Sequence, residues 1–152
     1  ETKLLHQKRK NLSKSQVIEF SILFLILNYF NISSKRLDEL SEIEFVSEKN
    51  ESLKKTIISY YSLDEDEKTI RSKIEEDYKN IIIEIKENSN IQLIVKGKAE
   101  NEILSLLDEL INDLKEQNNL RKIESLEKKL LNNLDENSYS ELIKLKSRLN
   151  SD

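Results

Sequence analysis

The chain has no cysteine, no proline and a single glycine, Gly97, in 152 residues. Without cysteine there are no disulfides and no thiolate metal sites, which fits an intracellular location. Without proline and glycine, sandwiches, barrels and nucleotide-binding α/β units lose the usual punctuation of their tight turns, so those classes are disfavoured. Histidine occurs once, as His6 in a polar terminal segment, and reads as a solvated side chain, not a catalytic base. There is no Gly-rich phosphate loop and no Cys/His metal spacing. Nor is there an excess of positive charge: 25 Lys and Arg stand against 29 Asp and Glu, a net charge of -4. That balance gives no electrostatic reason to bind nucleic acid over a broad surface.

Long hydrophobic runs are also missing. The strongest, Val17 to Phe30, is interrupted by Glu19, Ser21 and Asn28 and falls short of the roughly 20 residues that a membrane span needs. It lacks the small-residue cleavage site of a signal peptide and reads as a buried core helix. The chain opens on Glu1 instead of Met, as expected of a piece of a longer protein.

What is present is helix-forming: Leu, Lys and Glu, with Ser and Asn available for caps and connections. The hydrophobic fraction is 37%, enough for a modest core. Ser13 to Gln16 matches a capping box and predicts a helix over about 14–30. Its apolar residues (Val17, Ile18, Phe20, Leu23, Phe24, Ile26, Leu27, Phe30) cover most of its circumference, so it should be the central helix, surrounded by neighbours. Ser33 and Ser34 start a second helix carrying Leu37 and Leu40. Ser47 caps a third, with Leu53, Ile57, Ile58, Tyr60 and Tyr61 at core or core-edge spacing. Asp64, Glu65, Asp66 and Glu67 open a fourth, with Ile70, Ile74 and Tyr78. This acidic cluster suits the positive end of a helix dipole and lacks the spaced ligands and mid-loop glycine of a calcium loop. Over 80–95 the β-branched residues compete with helical spacing. The reading is a short helix over about 80–87 and an extended loop to Gly97, with a hairpin turning at Asn88-Ser89-Asn90 as the alternative.

From about Lys98 the spacing is helical. Ile103, Leu107, Leu110 and Leu114 form one stripe, widened by Leu106 and Ile111. After Gln117, Asn118 and Asn119 a new stripe starts in a different phase with Leu120, Ile123, Leu126, Leu130 and Leu134. One helix of about 98–133, roughly 50 Å long, should therefore serve two packing units. Asp135 to Asn137 turn the chain, Ser138 to Glu141 form a second capping box, and a last helix buries Leu142, Leu145 and Leu149. The expected architecture is all-α: a linker or frayed end over 1–12, a helical bundle over 13–116 and an antiparallel helical hairpin over 117–152 that shares the long helix.

The remaining candidates for chemistry read blandly. Lys8-Arg9-Lys10 is a solvated linker end, and no catalytic, cofactor-binding or metal-ligating residue is assigned. The hairpin differs, because Leu131, Tyr139 and Ile143 do not all fit its seam and should be partly exposed. The residues picked out for partner binding are Leu130, Leu131, Leu134, Tyr139, Leu142, Ile143, Lys146, Arg148 and Leu149.

Three segments carry a resemblance. Phe20-Ser21-Ile22-Leu23-Phe24-Leu25-Ile26-Leu27-Asn28-Tyr29-Phe30 resembles the first core helix of the C-terminal helicase-binding domain of bacterial DnaG-type primases. Leu37 to Ser47 resembles the short acidic helix and Phe-x-Ser step that follow there, and Leu126 to Leu149 the closing helical hairpin. The resemblance covers the chain from about Val17 onward and rests on pattern and order. It implies a non-catalytic domain that docks primase onto the N-terminal domains of the replicative hexameric helicase at the cytoplasmic replication fork. It also implies a fragment that is monomeric, needs no cofactor, and contacts neither nucleic acid nor membrane directly. The alternative is a self-associating helical module unrelated to replication.

Overall fold

The computed structural model describes residues 13–61, 63, 66–132 and 136–150. The segment 1–12 with His6 and Lys8 to Lys10, the acids Asp64 and Glu65, and Leu134 with Asp135 lie outside the described residues. All regular elements among the described residues are helical. They are α1 (Lys14–Asn28), α2 (Phe30–Ser33), a 3-10 turn (Ser34–Arg36), α3 (Leu37–Glu42), α4 (Glu48–Tyr61), α5 (Glu67–Asp77), α6 (Lys79–Asn88), α7 (Ile91–Val95), α8 (Glu100–Asn132) and α9 (Glu136–Asn150). The chain divides into two compact units, 1–112 and 113–152, with the division inside α8.

In the first unit the capping box forms as the sequence requires. Ser13 Oγ accepts from the Gln16 amide at 3.1 Å, and the Ser13 amide donates to Gln16 Oε1 at 3.1 Å. Every residue of α1 from Ile18 to Ile26 is buried, and α4, α6 and α7 pack around it. The helix ends at Asn28 and the chain bends by 109° into the next helical stretch. No glycine or proline makes this break. Polar groups bond the carbonyls of the last turns. Asn28 Nδ2 donates to Phe24 O (2.9 Å), Ser33 Oγ and the Tyr29 amide donate to Leu25 O (3.1 and 2.8 Å), and Tyr61 OH donates to Ile26 O (3.3 Å). No single described helix is long and apolar enough to cross a membrane.

Three sequence expectations change here. The region 89–97 is not an extended loop, and no hairpin of strands forms among the described residues. Ile91–Val95 is a short helix. Its ends at i and i+4 both point inward, with Ile91 and Val95 buried, and that packing overrides a β-branched preference worth only tenths of a kcal/mol per residue. Gly97 then takes φ 78°, the left-handed conformation open to glycine at little cost, and turns the chain into α8.

The second correction concerns the last helix. It begins at Glu136, so Ser138 lies inside α9 and is no N-cap, and Asn137 belongs to the helix instead of the turn. In α8 the buried positions are Ile103, Leu107, Ile111, Leu114 and Asn118, then Ile123 and Leu126. At 100° per residue the second set is rotated about a third of a turn from the first. Leu120, expected in the second stripe, is 43% exposed.

Candidate functional site

The hairpin formed by α9 and the last part of α8 closes on Ile123, Leu126 and Leu142, with Leu130, Leu145 and Leu149 packed against them. The cross-helix ion pair of Lys146 Nζ with Glu127 Oε1, at 3.2 Å, fixes the register. In an antiparallel pair, side chains turned to the same sense from the seam on both helices share one face of the hairpin. Glu127 and Lys146 mark that face. On it also stand Leu131, 86% exposed, Tyr139, 57%, and Ile143, 50%. The register sets Leu131 level with the turn of α9 between Tyr139 and Ile143, so the three exposed side chains share the face of the hairpin that carries the ion pair.

The opposite face has another character. Lys122 and Lys129 on α8 lie there with Lys144 and Arg148 on α9, and all four are exposed. Among the described side chains Glu141 is the only acid turned to that side, and Lys129 is level with Lys144.

Of the residues singled out from sequence, the structure thus brings Leu131, Tyr139, Ile143 and Lys146 onto one accessible face. Leu142 is buried in the seam and Leu130 and Leu149 are packed beside it; they close the hairpin, leaving little surface for a partner. Arg148 stands on the other face. Leu134 lies outside the described residues.

The first unit holds a cluster that sequence reasoning missed. Glu19 is fully buried, yet it is not paired with a cation. Its carboxylate accepts from the Val46 amide (2.7 Å), the Ser47 amide (3.4 Å) and Asn50 Nδ2 (3.0 Å). Lys54, only 1% exposed, donates to Ile43 O, pairs with Glu51 Oε1 at 3.0 Å, and stands 4.7 Å over the Phe45 ring. The other Glu51 oxygen accepts from the Phe45 amide at 3.1 Å. Burying a charge is costly unless it is well hydrogen-bonded. Here two buried ionisable groups anchor the backbone of the non-helical step 43–47 between α3 and α4. Its sequence signal was an acid in the middle of an apolar run.

Chemistry finds little purchase elsewhere among the described residues. No group of His, Cys, Asp or Glu is arranged to hold a metal ion, and no buried polar side-chain atom lacks a partner. An open groove of about 530 Å³ is lined by Asp66, Glu67, Lys68 and Arg71. Asp66 makes no side-chain cap bond to α5. Burial pushes the Tyr61 hydroxyl far above its ordinary range, with the nearby Glu67 carboxylate adding to the shift, and its ring meets Phe30 edge-on. In α8, Asp108 receives Arg36 through both oxygens, at 2.7 and 3.2 Å. These are packing and anchoring features.

No protein-family model, curated protein or solved structure matches this chain.

Proposed function

We propose that this chain is a non-catalytic docking domain, and specifically the helicase-binding domain of a bacterial DNA primase. It would recruit primase in the cytoplasm to the N-terminal domains of the replicative hexameric helicase. The observation that carries the docking reading is the apolar stripe of Leu131, Tyr139 and Ile143 on a unit only two helices thick. A thin hairpin that already closes its seam with leucines gains nothing in stability from leaving these three in water. Helical anchors flanked by charge fit the way an amphipathic helix enters an apolar groove.

The primase assignment is supported by the order of elements on which the resemblance falls. Phe20 to Phe30 makes up the buried half of α1 and the break after it. Leu37 to Ser47 covers α3 and the anchored step, and Leu126 to Leu149 covers the hairpin. Burying an exposed large apolar side chain contributes about 1.5–3 kcal/mol. A few such anchors, less the cost of association, make a modest interface with fast exchange. Glu127 and Lys146 at its rim would set orientation and encounter rate more than affinity.

The test is a calorimetric titration of this chain with the N-terminal domain of the replicative helicase from the same organism. Tyr139→Ala combined with Ile143→Ala should weaken binding at least tenfold while leaving the thermal midpoint in place. Unchanged affinity would remove the stripe from the interface. Self-association through the same stripe is the competing reading. Sedimentation at several concentrations separates the two, since docking expects a monomer.

A further inference from the structure

The charge of the chain as a whole argues against nucleic acid, but charge is not distributed evenly over the hairpin. On the face that carries Leu131 the helices meet through opposite charges, Glu127 and Lys146. On the other face, in the same register, Lys129 stands level with Lys144. Arg148 lies about one turn beyond Lys144, and Lys122 about 10 Å along α8 from Lys129. Like charges level with one another on neighbouring helices repel, and a single acid would remove the repulsion, as Glu127 does for Lys146. Among the described residues Lys122, Lys129 and Lys144 form no ion pair.

From this opposition we infer that the basic face of the hairpin binds the phosphate backbone of a single-stranded nucleic acid. The cations stand roughly 6–10 Å apart along and across the hairpin, a spacing that a flexible strand can match with successive or alternate phosphates. The surface is flat and made of helix sides, so it offers nothing that enters a duplex groove. It carries no aromatic residue, Tyr139 being on the other face, so bases are not stacked and binding is independent of sequence. An acidic protein surface is the competing occupant. It is disfavoured because, among the described residues, this face has no apolar residue to form the dry centre that a protein interface needs. The inference does not depend on what docks against the apolar stripe, and the two faces leave room for both partners at once.

The experiment is fluorescence anisotropy of a labelled twenty-nucleotide thymidine strand titrated with the full chain at several salt concentrations. Binding at 50 mM salt should be weak, with Kd on the order of 10–100 µM. With three or four phosphates contacted, affinity should fall with salt at a log–log slope of about -2 to -3. Lys129→Glu combined with Lys144→Glu should cut affinity at least tenfold and reduce the slope by about 1.4, the share of two contacts. The milder pair Lys129→Gln and Lys144→Gln should weaken binding in the same direction and guards against misfolding. Tyr139→Ala with Ile143→Ala should bind the strand as the parent does. Lys129→Glu alone should raise the thermal midpoint of the hairpin while lowering affinity, because it restores opposite charges across the pair. Absence of binding at 20 mM salt, equal binding by the charge-reversed variant, or tighter binding to a duplex of the same length would each overturn the inference.

Discussion

In residues 1–112, helix α1 buries every residue from Ile18 to Ile26 beneath α4, α6 and α7. The hairpin of residues 120–150 brings only Ile123, Leu126 and Leu142 to comparable burial among its described residues. The first unit even accommodates the charged groups of Glu19 and Lys54 out of water, each held by several partners. The second leaves Leu131, Tyr139 and Ile143 in water although both its helices could have carried polar residues there. A thick unit can hold charge inside and use it to anchor backbone. A thin one has no inside left over, so apolar residues beyond its seam stay in water.

That contrast can be broken or sharpened by substitution. The largest effect should come from Leu53→Ala, which empties a fully buried site in α4 and should cost about 3–4 kcal/mol in urea unfolding. Leu142→Ala, in the thinner seam, should cost about 2 kcal/mol and raise amide exchange over 120–150 without affecting α1. An equal effect of the two substitutions would erase the difference in depth.

Glu19→Gln should come next, at about 2 kcal/mol, because an amide presents donors where Val46, Ser47 and Asn50 already donate. Loss of protection at the amides of Val46 and Ser47 under native-state exchange would locate the damage. If stability is unaltered, the carboxylate does not anchor the 43–47 step.

Alkaline pH probes the same thick unit. Tyr61 is held neutral by burial, so its hydroxyl ionises at higher pH in the folded than in the unfolded chain. The folded state then binds more protons, and stability falls as pH rises above the unfolded value of about 10. Below that value the contribution is fully present. Tyr61→Phe should flatten the fall above pH 10 in a pH series of denaturant midpoints, even though it gives up the bond to Ile26 O. The smallest effect should be Leu131→Gln, within about 0.5 kcal/mol of the parent, since that side chain touches little of its own chain. A larger loss would mean that the stripe supports the hairpin itself.

The hairpin was readable in the sequence because 3–4 leucine spacing maps directly onto one face of a helix, and the same spacing left Leu131, Tyr139 and Ile143 outside the seam. Leu120 has the spacing of the second stripe but is exposed, since spacing alone does not show where a neighbouring helix begins to cover the seam. Helix α7 was hidden because Ile91, Ile94 and Val95 have side chains that suit either a strand or a buried helical turn. Only tertiary contact of Ile91 and Val95 decides between them. The misplaced start of α9 has a similar cause: a Ser-x-x-Glu pattern recurs inside helices as well as at their ends. Glu19 stood out as an acid in an apolar run, but its partners Val46, Ser47 and Asn50 come from a distant stretch of chain and no local pattern announces them. The basic face escaped notice because whole-chain charge averages over both units.

The most direct test of the hairpin as a gripping surface is a methyl-resolved NMR titration with the N-terminal domain of the replicative helicase. The account predicts that the methyl signals of Leu131 and Ile143 shift or broaden on addition of the partner, while those of Ile22, Leu23 and Leu53 stay in place. Perturbation confined to the first unit, with Leu131 and Ile143 unmoved, would contradict it.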